Sequence, residues 1–168
     1  MITYLKGDAT RPQGEGPKVI AHICNDRGGW GKGFVLALSN RWPEPEASYR
    51  KWFHYGKWFD GEPFELGSIQ FVQVEPQLRV VNMIAQMGYG KGNRNLHSSK
   101  EPNDQIPLKY DALGICLWKL ARGVEPGTSV HMPRIGTGLA GGKWEKIEPL
   151  IEAAFKDREG CPVFVYDL

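Results

Sequence analysis

The apolar positions along the chain fall into short runs and one-sided stripes. Pro17 to Asn25, PKVIAHICN, is apolar at nearly every position, the pattern of a strand buried on both faces. ITYLKGD, Ile2 to Asp8, reads as a shorter strand ending at Gly7-Asp8. FVLALSNRW has helical character up to Trp42, Pro43 and Pro45 interrupt it, and EASYRKWFHYG resumes a helix until Gly56. GSIQFVQVEP and LRVVNMIAQ, Gly67 to Gln86, predict adjacent strands able to pair as a hairpin across Pro76-Gln77. IPLKYDALGICLWKLARG puts Leu108, Ala112, Ile115, Leu117, Leu120 and Ala121 near one face, a helix with Pro107 near its start. SVHMPRI is a strand. KWEKIEPLIEAAF is a helix with Trp144, Ile147, Leu150, Ile151 and Ala154 on its apolar face and Pro149 as a point where it can kink. PVFVYDL closes the chain as a strand.

The resulting order is β–β–α–(α)–β–β–α–β–α–β. It predicts an α/β fold: a three-layer α/β/α sandwich around a central mixed sheet, formed by residues 1–168 as a single domain. Met87 to Gln105, MGYGKGNRNLHSSKEPNDQ, has no apolar period and reads as a long loop.

Composition narrows the class of function. A chain of 168 residues can bury a sizeable core without disulfides. Hydrophobic residues at 41% and charged residues at 24% fit a soluble globular protein. The formal net charge is +2 and the Lys and Arg are scattered, so nucleic acid is not the expected partner. Cys24, Cys116 and Cys161 form no CxxC pair and no Cys/His metal spacing, which points to a reduced cytoplasmic setting and no metal. The N-terminus has no apolar leader and no run approaches a membrane span, so no membrane partner is expected.

Candidate chemistry lies in the loops beyond strand ends, where open α/β sheets bind ligands. In PRIGTGLAGG, Gly136, Gly138, Gly141 and Gly142 precede a helix. Such a loop suits an anion, through free amides and the helix dipole; a plain turn is the other reading. No GxxxxGK[ST] is present. GxGxxG at Gly136 to Gly141 is weak and lacks a first βαβ unit, which argues against a dinucleotide site. In HICNDRGGWGKGF, His22 reads as core or as a lesser catalytic candidate. Asn25 and Asp26 can reach a sugar or a lytic water, or form a turn. Trp30, among Gly28, Gly29, Gly31 and Gly33, either walls a pocket or anchors its loop. Lys32 can meet a phosphate or be solvated. Asp8 can bind a base amino group or cap a turn. Gln86 can bind but is no base. Cys24 has no activating neighbour in the sequence.

Together ITYLKGDAT, HICNDRGGWGKGF, MPRIGTGLAGGKW and VFVYDL resemble, in this order and over nearly the whole chain, the macrodomain family, which binds ADP-ribose. The KGD opening, PRIGxGL and VYxL ending are similar to terminal ADP-ribose protein glycohydrolases. GGWGKGFVLAL and RWPEPEASY resemble ADP-ribose 1″-phosphate phosphatases. The resemblance implies that Asp8 contacts adenine near Tyr166 and that the first loop, with Gly29, Trp30, Gly31, Lys32 and Gly33, surrounds the distal ribose; Ala9 and His22 are also expected to line the ligand. It also implies that Pro133, Arg134, Ile135, Gly136, Thr137, Gly138, Leu139 and Ala140 wrap the diphosphate and distal ribose, with Gly136, Gly138, Gly141 and Gly142 keeping side chains away from the diphosphate. The glycohydrolases carry a Lys where this chain has Gln86 and an acid where it has Ala140, so a lysine Schiff-base route is not expected.

What remains is hydrolysis of ADP-ribose esters of protein Glu or Asp without metal or cofactor. A placed water and charge stabilisation would carry it, with Asp26 as candidate base and Asn25 as water holder. A non-catalytic ADP-ribose-binding module and a 1″-phosphate phosphatase are the alternatives. The expected partner is ADP-ribose or an ADP-ribosylated protein, and the expected state a monomer. The 87–105 loop is expected to cover the distal ribose, mobile without ligand and ordered with it.

Overall fold

The computed structural model describes residues 1–88 and 106–168. Residues 89–105 lie outside the described residues, and with them most of the loop expected over the distal ribose. The elements are β1 (Ile2–Lys6), β2 (Lys18–Asn25), α1 (Phe34–Ser39), α2 (Glu44–Tyr55), α3 (Lys57–Asp60), β3 (Ile69–Glu75), β4 (Leu78–Gln86), α4 (Tyr110–Gly123), β5 (Ser129–Met132), α5 (Trp144–Phe155) and β6 (Val163–Asp167).

The six strands form one sheet in the order β1-β6-β5-β2-β4-β3. All neighbours are parallel except β3 and β4, which form the expected hairpin. The apolar run of β2 explains the layers, because alternate side chains of a strand face opposite sides. Val19 and Ala21 join one core with Leu113, Leu117 and Leu120 of α4 and Ile147 and Ile151 of α5. Ile20 and Cys24 join the other with Leu38 of α1 and Tyr49 of α2. Helices therefore cover both faces of a mixed sheet, as the sequence predicts.

Element ends differ from expectation where tertiary contacts intervene. α1 stops at Ser39 rather than Trp42. Trp42 instead buries its ring and donates from Nε1 to Glu75 Oε2 (3.0 Å), and the following proline disfavours helical backbone there. α4 starts at Tyr110, not at Pro107. Residues 107–109 are recruited by their neighbours: Met87 N–H donates to Pro107 O (2.8 Å), Lys109 N–H to Ala85 O (2.8 Å) and Leu108 N–H to Ala140 O (3.0 Å). They staple the end of β4 to the second glycine loop. α5 runs through Pro149.

A buried polar link ties α2 to the sheet. Asn82 Nδ2 donates to Gln70 Oε1 (3.0 Å) and Pro45 O (3.2 Å), and Gln70 Nε2 to Ser48 O (3.1 Å). Asn82 Oδ1 is thus left to accept from His22 Nε2 at 2.5 Å, which sets the histidine tautomer.

Candidate functional site

β2 and β4 lose their even register between Cys24 and Asn25, so that Asn25 stands opposite Gln86. Such a bulge re-aims side chains at a sheet end. A two-lobed cleft opens there. The outer lobe, about 480 Å³, is lined by Ile23, Cys24, Asn25, Gly29, Trp30, Gly31, Lys32, Val35, Arg50, Gln86 and Leu139. The inner lobe, about 400 Å³, is lined by His22, Gly33, Phe34, Pro133 to Ala140, Tyr166, Asp167 and Leu168. Ile23, Lys32, Val35, Gln86 and Leu139 belong to both and join them.

The first loop is wired through Asn25. Its Oδ1 accepts from Arg27 N–H (2.9 Å) and Gly29 N–H (3.0 Å), and its Nδ2 donates to Gly29 O (2.9 Å). Tyr49, buried beneath, donates its hydroxyl to Asn25 O (2.5 Å) and accepts from Gly28 N–H (3.1 Å). Burial pushes the Tyr49 phenol up, so it serves as a neutral donor. Trp30 fulfils both roles read for it: it walls the outer lobe while its Nε1 anchors to Ser39 Oγ at 2.8 Å. His22 is 2% exposed and packs edge-on to Trp30 at 5.3 Å, a satisfied core residue that also contributes wall. Cys24 is 3% exposed and burial pushes its thiol up, so no thiolate is offered.

The second loop divides its glycines between two tasks. A side chain at Gly138 would meet no atom within 4 Å, whereas one at Gly142 would stand 2.3 Å from Leu108 and 2.6 Å from the Gly136 carbonyl. Gly136, at φ 76°, is hemmed in by Leu108, Ile147 and Ile23, and Gly141, at φ 78°, by Ile106. Clearance for a ligand was expected of all four. Gly138 alone among them faces open space; the others are demanded by packing and backbone conformation. Among the described residues, the N–H groups of Gly136, Gly138, Leu139 and Ala140 have no partner, while Gly141 and Gly142 N–H bond back to Gly138 O and Gly136 O. Unpaired consecutive amides in a cleft make an anion cradle. The lining ends at Ala140, before α5 begins at Trp144, so it is the loop rather than the helix end that lines the cleft.

The inner end of the cleft rests on a buried relay. Gln13 N–H donates to the Tyr166 hydroxyl (2.9 Å), which reaches His131 Nδ1 (2.8 Å), while His131 Nε2 reaches Ser129 Oγ (2.8 Å). Burial, then the positive Lys18, lowers His131 to about 4, so the ring is neutral and the relay runs Gln13 to Tyr166 to His131 to Ser129. Arg134 forks onto Asp167 (2.6 and 2.9 Å) and lies over the Tyr4 and Trp144 rings.

Asp8, Ala9 and Asp26, read from the sequence as binding or catalytic, are not in the lining of either of these two lobes. Asp8 caps a turn, its Oδ1 accepting from the Thr10 N–H and hydroxyl (both 2.8 Å). It stays beside the inner lobe because Gly7 N–H bonds Asp167 O (2.8 Å). Ala9 is buried, at 3% exposure. Asp26 Oδ1 accepts from Gly88 N–H (2.8 Å) and so holds the chain beyond β4. Conversely, Arg50 and Asp167 line the cleft without having been expected. Asp167 was findable as the strand-end neighbour of Tyr166. Arg50 was not, since it reaches the lobe from a helix far along the chain.

The two buried histidines make stability pH-dependent. Burial lowers His22 to about 4, against the bond to Asn82, and His131 lies similarly low. The unfolded chain therefore takes up protons first. Stability is fully present above about pH 6.5 and is lost as pH falls towards 4, at about 1.4 kcal/mol per pH unit for a fully buried His22. Urea unfolding should show a level midpoint above neutrality and a falling one between pH 6.5 and 4; a level midpoint throughout would contradict it.

No protein-family model matches the chain. A macrodomain protein from Streptomyces coelicolor of solved structure is 49% identical, with a TM-score of 0.78 over 100% of this chain and 99% of that one. An ADP-ribose 1″-phosphate phosphatase of Candida albicans is 27% identical over 90% of this chain and 92% of its own. A DNA ADP-ribosyl glycohydrolase of Mycobacterium bovis is 27% identical over 99% of this chain and 42% of its own.

Proposed function

The chain belongs to the macrodomain family, and we propose that it is an ADP-ribosyl hydrolase, releasing ADP-ribose from a group attached at C1″ of the distal ribose. The observation that carries this reading is the row of unpaired amides at Gly136, Gly138, Leu139 and Ala140, joined by Lys32 to a second lobe. A diphosphate fits the amide row. Adenine then lies towards Tyr166 and Asp8, and the distal ribose enters the lobe of Asn25, Gly29 and Trp30. The names of the phosphatase and glycohydrolase relatives are consistent with chemistry at that ribose.

The favoured acceptor is an acidic protein side chain. The end of β4 carries Gln86 where the glycohydrolases carry a Lys, and the second loop carries Ala140 where they carry an acid, so the site suits a bond with a good leaving group. Catalysis then rests on orientation, a placed water and preorganised donors. With Asp26 tied to Gly88 and outside the lining, release should survive Asp26→Ala. The experiment follows free ADP-ribose from a protein mono-ADP-ribosylated on glutamate. Release by wild type and Asp26→Ala alike is expected. Loss in the variant would restore Asp26 as the base, and no release with ADP-ribose still bound would favour a binding module.

A second reading has a nucleic-acid acceptor, against the expectation from net charge. Phe53, whose ring lies against Gly28 of the first loop, continues into exposed Tyr55, Trp58 (89% exposed) and Phe59, with Lys51 and Lys57 among them. Exposed aromatics with interleaved cations suit unstacked bases, and one relative is named for a DNA substrate. Release from ADP-ribosylated single-stranded DNA, weakened by Trp58→Ala, would support this acceptor over glutamate.

A further inference from the structure

The charges of the outer lobe are one-sided. Its lining holds Lys32 and Arg50 and no carboxylate among the described residues. Lys32 is shared with the inner lobe, so Arg50 is the cation that belongs to the outer lobe alone. Its guanidinium is held in place: Nε donates to Glu46 Oε2 (2.9 Å) one helical turn earlier, and Nη1 donates to Gly28 O (3.0 Å). A fork fixed by two bonds still carries N–H donors on Nη2, and its side chain is 52% exposed at the mouth of the lobe. The helix that carries it is rigidly seated, since the neighbouring Tyr49 is fully buried and bonded to Asn25.

We propose that Arg50 is a specificity-determining residue that receives the anionic group at C1″ of the substrate. The inference rests on the placement of the distal ribose in the outer lobe. In hydrolysis of a glutamyl ester, water's oxygen bonds to C1″ as the C1″–O bond to the acyl group breaks. The electron pair of that bond leaves on the carboxylate, and one proton of the water passes to solvent. Negative charge thus grows on the leaving carboxylate, where a prepositioned guanidinium stabilises the transition state more than the neutral ester. A phosphate at C1″ presents its charge at the same place. The lobe therefore selects conjugates whose departing group is an anion, and a neutral alcohol gains nothing from it.

The test separates this inference from the hydrolase reading because it is read first as binding. Affinities for ADP-ribose and for ADP-ribose 1″-phosphate are measured by calorimetry with the wild type, Arg50→Gln and Arg50→Lys. The wild type should bind the 1″-phosphate at least about tenfold more tightly. Arg50→Gln should lose that preference while its affinity for ADP-ribose stays within about twofold, and Arg50→Lys should keep part of it. Should the wild type hydrolyse the 1″-phosphate, the comparison is read from kcat/KM, with at least a tenfold fall in Arg50→Gln. A wild type without preference, or a preference unchanged in Arg50→Gln, overturns the role of Arg50. Failure of the wild type to bind ADP-ribose at all would instead overturn the site assignment itself.

Discussion

Gly138→Glu should abolish ADP-ribose binding and leave the protein folded. The position lines the inner lobe, its backbone is not in the left-handed region, and an added side chain meets no atom within 4 Å. The free protein therefore accepts a glutamate without strain. The carboxylate then occupies the cradle formed by the neighbouring amides and opposes the diphosphate with like charge. Affinity should fall at least about a hundredfold, close to 3 kcal/mol, with the thermal midpoint unchanged. Gly142→Ala makes the contrast. Its Cβ would stand 2.6 Å from the Gly136 carbonyl as well as against Leu108. That change should lower the midpoint markedly, because a backbone atom must move. A Gly138→Glu protein that binds normally would remove the diphosphate from this loop.

Asn25→Ala should remove turnover and cost stability together. Its side chain satisfies the Arg27 and Gly29 N–H groups and the Gly29 carbonyl, all in the turn that shapes the outer lobe. Truncation removes these three bonds, at a cost of about 2–3 kcal/mol. Asn25→Asp supplies the same acceptor oxygen but no donor for Gly29 O, and should retain more of the fold than alanine does. Urea denaturation and ADP-ribose release on the three proteins decide it. A stable Asn25→Ala that releases ADP-ribose at the wild-type rate would show that the turn does not organise catalysis.

These two experiments address one idea from opposite sides. On the proposed reading the second loop binds through its backbone, so its side chains matter by being small or absent. The first loop is held by a side chain, so its geometry depends on Asn25 and on Tyr49 below. Lys32 lies at the junction of the lobes, and Arg50 lines the outer one, where the proposed anion at C1″ would meet it.

By itself the sequence determined the strands, the layers and both loops. Local signals are enough for these. An apolar run such as VIAHIC has to be covered on both faces, and the Gly136 to Gly142 segment between an apolar strand and an amphipathic helix marks a loop at a strand end. The motifs there were specific enough to point to ADP-ribose before any coordinates. Tertiary structure alone decided which glycine borders open space, since Gly138 and Gly142 look alike until Leu108 and the Gly136 carbonyl are placed around them. It also decided that Asp26 holds Gly88, that residues 107–109 pair with β4 and the second loop instead of starting α4, and that Arg50 enters the cleft. Each of these depends on contacts between segments far apart in the chain. A spacing pattern records what one segment needs to bury, but not which distant atom will meet it.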